Sequence, residues 1–323
     1  MGILKGILMT KRFIQTKDLP KTLWCDDSGV MTLPAMLVER WKELLTENNL
    51  EEKASEKAEK GFVGGLSKED TDKHLVWRYT GSCARIILSL LDPQNHLSDV
   101  SDAYATIFSG NKVFLADLPS GSGAGSISIL TTLAELRKEG VVPRLPLEIV
   151  IVAGEISESA RDYYDYQLKA LKPILEEQAI WVEHESVCWD VLSPMSTVDL
   201  TKKLTLKSQN CTTKLLLLSN FTGFLEKERK WKDAQPQFEQ IFMHSRDQVS
   251  AAIWIEPNQK SVTSFMTRTI DWFQKLFKSL IPLPITNENI DTATNSKCKH
   301  PILMGEFRVG LKIMRFDLPE RKS

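Results

Sequence analysis

A chain of 323 residues that is 42% hydrophobic is long enough to bury a sizeable core, either as one large α/β domain or as a domain with an appended lobe. Its charge is balanced, with 41 Lys and Arg against 42 Asp and Glu, which excludes bulk electrostatic attraction to nucleic acid or to an anionic membrane as its organising feature. The five cysteines, Cys25, Cys83, Cys188, Cys211 and Cys298, are scattered and form no C-x-x-C pair, so neither a disulfide framework nor a zinc ribbon is expected and a reducing, cytoplasmic setting fits best.

In chain order, MGILKGILMTKRF carries an apolar run too short and too interrupted by Lys5 for a secretory signal, and Gly6 stands where N-myristoylation needs Ser or Thr. No later stretch reaches the roughly 18 apolar residues of a membrane span, so no membrane association is expected. Residues 34 to 48 place Leu37, Trp41, Leu44 and Leu45 at helical spacing, and EEKASEKAEKG after them reads as a solvated charge run ending in the glycines of FVGG. A second helical pattern runs from Asp72 to Leu91, closed by Asp92 and Pro93. Residues 1–107 are therefore expected to form a mainly helical N-terminal lobe, and residues 108–323 the main domain.

From about residue 111 short apolar runs alternate with amphipathic helices, the pattern of βαβ units in a mostly parallel sheet with helices on both faces. Strands are predicted at 113–117, 148–154, 179–187, 214–220 and 250–256. Helices are predicted from Gly125 to Glu139, stopped by Gly140, and from Ser157, as the cap, to Gln178. A further helix over SFMTRTIDWFQKLFKSL leads to a polar, loop-like tract, TNENIDTATNSKCKHP, and EFRVGLKIMRFDLP reads as a closing strand. Cys298 and His300 lie two apart in that tract with no partner cluster, so no metal site is predicted.

The chemistry concentrates after the first strand. Gly121, Gly123 and Gly125 lie where a strand-to-helix turn must expose backbone donors and a helix N-terminus to a cofactor. A P-loop is excluded because no G-K-[S/T] follows, and a G-x-G-x-x-G fingerprint counted from Gly121 meets Ser126 at its third glycine. Asp117 ends the strand immediately before the turn. The stretch DLPSGSG resembles the D-x-G-x-G-x-G motif of class I S-adenosylmethionine-dependent methyltransferases, with Pro119 in place of the first glycine.

The resemblance covers about residues 111 to 257 and implies a Rossmann-like fold, S-adenosylmethionine as cofactor and methyl transfer as the activity. Residue by residue, it implies a cofactor site of Asp117, Pro119, Ser120, Gly121 and Gly123, with Glu155 for the ribose hydroxyls, Asp190 beside Trp189 near the adenine, and Ser219 at the end of the fourth strand. Glu155 lies 32 positions after Gly123, against the roughly 20 of a compact dinucleotide unit. On the bare residues, Asp117 reads equally as a turn or helix cap, Glu155 as a first-turn acid, and Asp190 as a strand end.

Asn220 and Phe221 follow the fourth strand at the position that separates cofactor from substrate, but SNFT lacks the two prolines of the [D/N/S]-P-P-[F/Y/W] signature of nucleobase amine methylases. In the family the pre-strand helix often folds over the cofactor, which makes Arg78 and Tyr79 candidates as well; as residues they read also as the polar face of an amphipathic helix. Methyl transfer is an in-line displacement governed by positioning, so no catalytic residue is assigned. No Ser-His-Asp or paired-carboxylate arrangement points to a hydrolase. The acceptor, whether small molecule, RNA or protein, is left open, as are a non-catalytic binding protein with the same fold and an NAD(P)-dependent oxidoreductase.

Overall fold

A computed structural model describes residues 13–59, 65–247, 250–278 and 292–318. The first twelve residues, most of the GFVGG stretch and the start of the polar tract before residue 292 lie outside the described residues.

The apolar runs form the strands β3 (Lys112–Asp117), β4 (Leu147–Glu155), β5 (Ile180–Cys188), β6 (Thr213–Ser219) and β7 (Ser250–Pro257), each within a residue or two of its predicted position. Between them run α6 (Ala124–Lys138), α7 (Glu158–Glu177), α8 (Pro194–Ser208), α9 (Thr222–Lys227) and α10 (Trp231–His244), and α11 (Lys260–Lys278) follows β7. The five strands are parallel and ordered β5-β4-β3-β6-β7. Their side chains alternate between two apolar layers. Val113, Leu115, Ile149, Ile151, Leu215 and Leu217 face one, and Phe114, Ala116, Val150, Val152, Leu216 and Leu218 the other. Burial on both faces is why these strands read as unbroken apolar runs.

The chain moves outward from β3 through β4 to β5, then crosses back to β6 on β3's other side. This reversal is the topological switch point, where doubly wound sheets open a crevice beyond the carboxyl ends of their strands. The sheet then departs from an all-parallel plan. The closing strand β9 (Glu306–Leu318) lies antiparallel to β7, with Ile255 opposite Ile313, and β8 (Thr292–Lys299) pairs antiparallel with β9. The whole is a mixed α/β sheet of nine strands among the described residues, flanked by helices.

Three sequence expectations are corrected. The tract that reads as a loop contains β8, whose polar residues TNSK give no apolar alternation; main-chain pairing with β9 on one side and with β2 on the other makes it a strand. The segment before residue 107 contains two short strands, β1 (Trp24–Cys25) and β2 (Val30–Met31), joined by a turn with Gly29 at φ 63°, and β2 runs parallel to β8. Two-residue strands are too short to show a period. The helix expected over Asp72 to Leu91 is two, α3 (Lys68–Trp77) and α4 (Tyr79–Leu91), broken at Arg78, whose φ of −122° is not helical. The break stands just before Thr80, Gly81 and Ser82, all weak helix formers.

The other early helices are α1 (Ala35–Glu47), α2 (Glu51–Ser55) and α5 (Ser98–Phe108). Their apolar sides share one continuous cluster with α6, α7 and the first face of the sheet, through residues such as Leu37, Trp41, Ile87 and Tyr104. The α3–α4 pair is thereby held over the crevice. Thr71 and Ser157 oxygens lie 3.1 Å apart, and Lys68 donates to the Tyr163 hydroxyl at 2.8 Å.

Candidate functional site

A cleft of about 460 Å³ opens at the carboxyl ends of β3, β4, β5 and β6, bounded on its far side by α3 and α4. That volume suits a nucleoside-sized ligand.

The turn after β3 forms its floor. The chain leaves β3 through a cis Leu118–Pro119 peptide, and the Ser120 and Gly123 amides donate to Gly154 O and Ser120 O, both at 2.9 Å. Gly121 and Gly123 have φ of 52° and 92°. At Gly123 the need for glycine is double, because a Cβ would stand 2.3 Å from the Tyr164 ring in addition to facing a left-handed backbone. A Cβ at Gly125 would stand 2.7 and 2.8 Å from the two Asp117 oxygens, so glycine there lets the start of α6 close onto that carboxylate.

Asp117 is fully buried. Its Oδ2 accepts from the Ser126 amide at 2.9 Å and the Ser126 hydroxyl at 2.8 Å, while Oδ1 has no partner among the described residues. Burial, opposed by the two Ser126 bonds and reinforced by nearby Glu155, raises its carboxyl to about 7. Asp117, which the resemblance places at the cofactor, lies beneath the turn and outside the cleft lining, drawn inward by the N-terminus of α6.

Glu155 takes the opposite position. The register pairs Asp117 with Ala153, which carries the end of β4 alongside the turn despite the long spacing in sequence. Its two oxygens accept from the Gly121 amide at 3.0 Å and the Ser157 amide at 2.8 Å, and it lines the cleft. The Ile156 amide also bears on it, and of the roughly four lone-pair sites of a carboxylate at least one is left for a further donor. Burial pushes the Glu155 carboxyl upward, and the backbone amides oppose that. Ser157 caps α7 through the Ala160 amide, as expected.

Pro119, Ser120, Gly121, Asp190, Ser219, Asn220 and Phe221 also line the cleft. Asp190 is fixed by the Leu192 amide on its Oδ1 at 2.8 Å. Trp189 borders the same wall but is only 2% exposed, its indole N–H given to Thr197 at 3.2 Å, so it presents little ring face. Asn220 stands at φ 57°, a region asparagine tolerates, and its amide donates to Ile255 O at 2.9 Å. Buried Glu256 at the end of β7 fixes the next two residues by accepting from the Phe221 and Thr222 amides at 2.8 and 2.9 Å.

Gly123, Arg78 and Tyr79 stand outside the lining. Gly123 is directed at Tyr164. Tyr79 is fully buried, with its hydroxyl on Gln167 Oε1 at 2.9 Å, and Gln167 in turn donates to Ser122 O, so this side chain supports the turn from below. Arg78 occupies the junction of α3 and α4.

Three residues that the sequence reading did not single out complete the far wall: Thr71, His74 and Ser82. Burial, helped by Arg78 and Arg85, holds the His74 imidazole down at about 4, so it is neutral at pH 7. His74, Arg78 and Arg85 are polar insertions in an apolar pattern; α3 ends at Trp77, and His74 lines the cleft while Arg78, at the break, does not.

Among the described residues the lining contains Glu155 and Asp190 and no lysine or arginine. Hydroxyls, amines and a sulfonium find acceptors on such a surface, whereas a pyrophosphate finds two carboxylates and no balancing cation. No group of three or more His, Cys, Asp and Glu is placed to hold a metal ion among the described residues, and no helix there is long and apolar enough to cross a membrane.

No family model and no curated protein matches this chain. A solved structure described as "Conversion of a Disulfide Bond into a Thioacetal Group during Echinomycin Biosynthesis" is similar over 66% of this chain and 77% of its own, at 12% identity and a TM-score of 0.32. A likeness that slight carries nothing about the chemistry of this chain.

Proposed function

We propose that the protein is an S-adenosylmethionine-dependent methyltransferase, acting on an acceptor still to be identified. The observation that carries this reading is the pairing of Glu155 with the glycine turn: a carboxylate with a spare lone pair, held by the Gly121 and Ser157 amides at the switch point of the sheet, in a cleft lined by acids and no lysine or arginine among the described residues. A ribose hydroxyl fits the free lone pair of Glu155, and Asp190 lies farther along the same wall. The sulfonium of the cofactor is cationic, and the acidic lining suits it better than the diphosphate of a dinucleotide.

Within this reading, the protein contributes by holding the donor methyl in line with the acceptor, and Asn220, held by Ile255 O, and Phe221, fixed from behind by Glu256, stand at the wall where the acceptor would enter. No residue is required to take a proton from an acceptor that is already a competent nucleophile. Mass spectrometry of small molecules released from the freshly purified, acid-quenched protein tests the assignment. S-adenosylmethionine or S-adenosylhomocysteine at near-stoichiometric level, lost in Glu155→Ala, is the expected result; NAD(H) in its place contradicts it.

A further inference from the structure

Ser82 on α4 and Asn220 after β6 have already committed acceptor atoms. Arg85 on α4 donates through Nε to Asn220 Oδ1 at 2.8 Å and through Nη2 to Ser82 Oγ at 3.2 Å. A guanidinium donates and never accepts, so the atom it meets on Asn220 is the carbonyl oxygen and the orientation of that amide is fixed. What Asn220 retains is its NH₂, and what Ser82 retains is its O–H. Both residues line the cleft, and both therefore offer donors there.

This end of the cleft is complementary to the other. Glu155 and Asp190 stand at the ends of β4 and β5, whereas Ser82 and Asn220 stand at the ends of α4 and β6 with a guanidinium behind them. A buried carboxyl, Glu256, acts on Arg85 from β7 and spends Oε1 on the Phe221 and Thr222 amides and the Trp254 indole. Burial pushes that carboxyl upward, so it compensates Arg85 only in part, and no hydrogen bond joins it to the side chains of Ser82 or Asn220 among the described residues. Two neutral donors polarised by one partly compensated guanidinium match a single negative charge spread over two oxygens; a phosphate dianion would demand direct cationic contacts.

We propose that Ser82, Arg85 and Asn220 form a carboxylate-binding subsite at the α4 end of the cleft, with Ser82 and Asn220 touching the ligand and Arg85 positioning them. The carboxylate has two sources, the amino-acid moiety of the cofactor or a carboxyl group on the acceptor, and the first of these rests on the S-adenosyl reading above. The stacked pair Phe221 and Phe224, 5.3 Å apart and also at the cleft, supplies apolar surface beside the donors.

Calorimetric titration of the full chain separates the sources. Three probes are used on wild type, Asn220→Asp, Ser82→Ala and Arg85→Gln: S-adenosylhomocysteine, 5′-methylthioadenosine, which lacks the carboxylate, and benzoate, with and without saturating S-adenosylhomocysteine. If the subsite takes the cofactor's carboxylate, Asn220→Asp weakens S-adenosylhomocysteine by about tenfold or more and leaves 5′-methylthioadenosine unchanged. If it takes the acceptor's, both nucleosides bind as in wild type while benzoate binding is lost. Affinities for all three probes that are unchanged by Asn220→Asp and Ser82→Ala, or that fall together, overturn the subsite. A wild type that binds neither nucleoside refutes the S-adenosyl reading instead, and the benzoate arm on the unliganded protein then decides the subsite alone. Arg85→Gln is interpreted only where its thermal unfolding matches wild type, and the other two variants carry the test without it.

Discussion

The ends of β3 and β4 carry two acids that look interchangeable in sequence and do opposite work in the fold. Asp117 turns inward onto the first turn of α6, loses contact with the cleft and serves the backbone; Glu155 turns outward, holds the glycine turn from the cleft side and keeps a lone pair for a ligand. The difference originates in the segment that succeeds each strand. After β3, Gly125 lets the α6 N-terminus approach so closely that its amide and hydroxyl donors capture the carboxylate. After β4, the chain continues through Ile156 to the Ser157 cap, whose amide meets Glu155 at the rim instead of beneath it.

This contrast can be broken by substitution. Asp117→Ala should have the largest effect on folding: it leaves the buried Ser126 amide without its acceptor, a cost of about 1–3 kcal/mol, and opens a small cavity, while the Ser126 hydroxyl keeps Tyr164 at 2.9 Å; the loss is read as a lower midpoint in urea. Gly125→Ala should come next, at about 1–3 kcal/mol, because its Cβ must displace Asp117 or Leu217 from positions 2.7 to 2.8 Å away. Glu155→Ala should lower the midpoint less than Asp117→Ala, since Glu155 borders the cleft and the Gly121 amide it frees is only part-buried. The reverse order would mean that Glu155 is the structural acid of the pair.

The comparison is sharpened further through pH. Asp117 rises from an ordinary 3.8 to about 7 in the folded chain, so the folded state holds a proton that the unfolded chain has released across that interval. Its contribution favours folding fully below pH 4 and is lost as pH rises through 7. The midpoint of Asp117→Asn relative to wild type should therefore climb between pH 5 and pH 8. A difference independent of pH would mean that the carboxyl ionises normally in the fold.

The same physics decides how much of this was legible in sequence. The parallel strands were, because burial on both faces forces apolar runs, and so were the Ser157 cap and the glycine turn, where backbone geometry admits few residue types. Glu155 was legible as a residue in spite of its spacing: α6 and the connection after it lengthen the path, while the register of β3 and β4 still brings the residue to Gly121. The burial of Asp117 and Tyr79 away from the cleft was not legible, because sequence does not reveal which way a side chain leaves a strand end or a helix face. β8 was hidden, its pairing being made by the backbone of β9 and not by its own side chains. The donor wall of Ser82 and Asn220 joins residues more than 130 positions apart through Arg85, a relation no local pattern contains.

The central claim, that the cleft is an S-adenosyl site organised by Glu155, is tested most directly by calorimetric titration of S-adenosylhomocysteine and of NAD into wild type and Glu155→Ala at equal pH and salt. The account predicts saturable one-to-one binding of S-adenosylhomocysteine to wild type, weakened about tenfold or more in Glu155→Ala, with no binding of NAD. Saturable NAD binding with none of S-adenosylhomocysteine, or equal S-adenosylhomocysteine affinity in the two proteins, would contradict it.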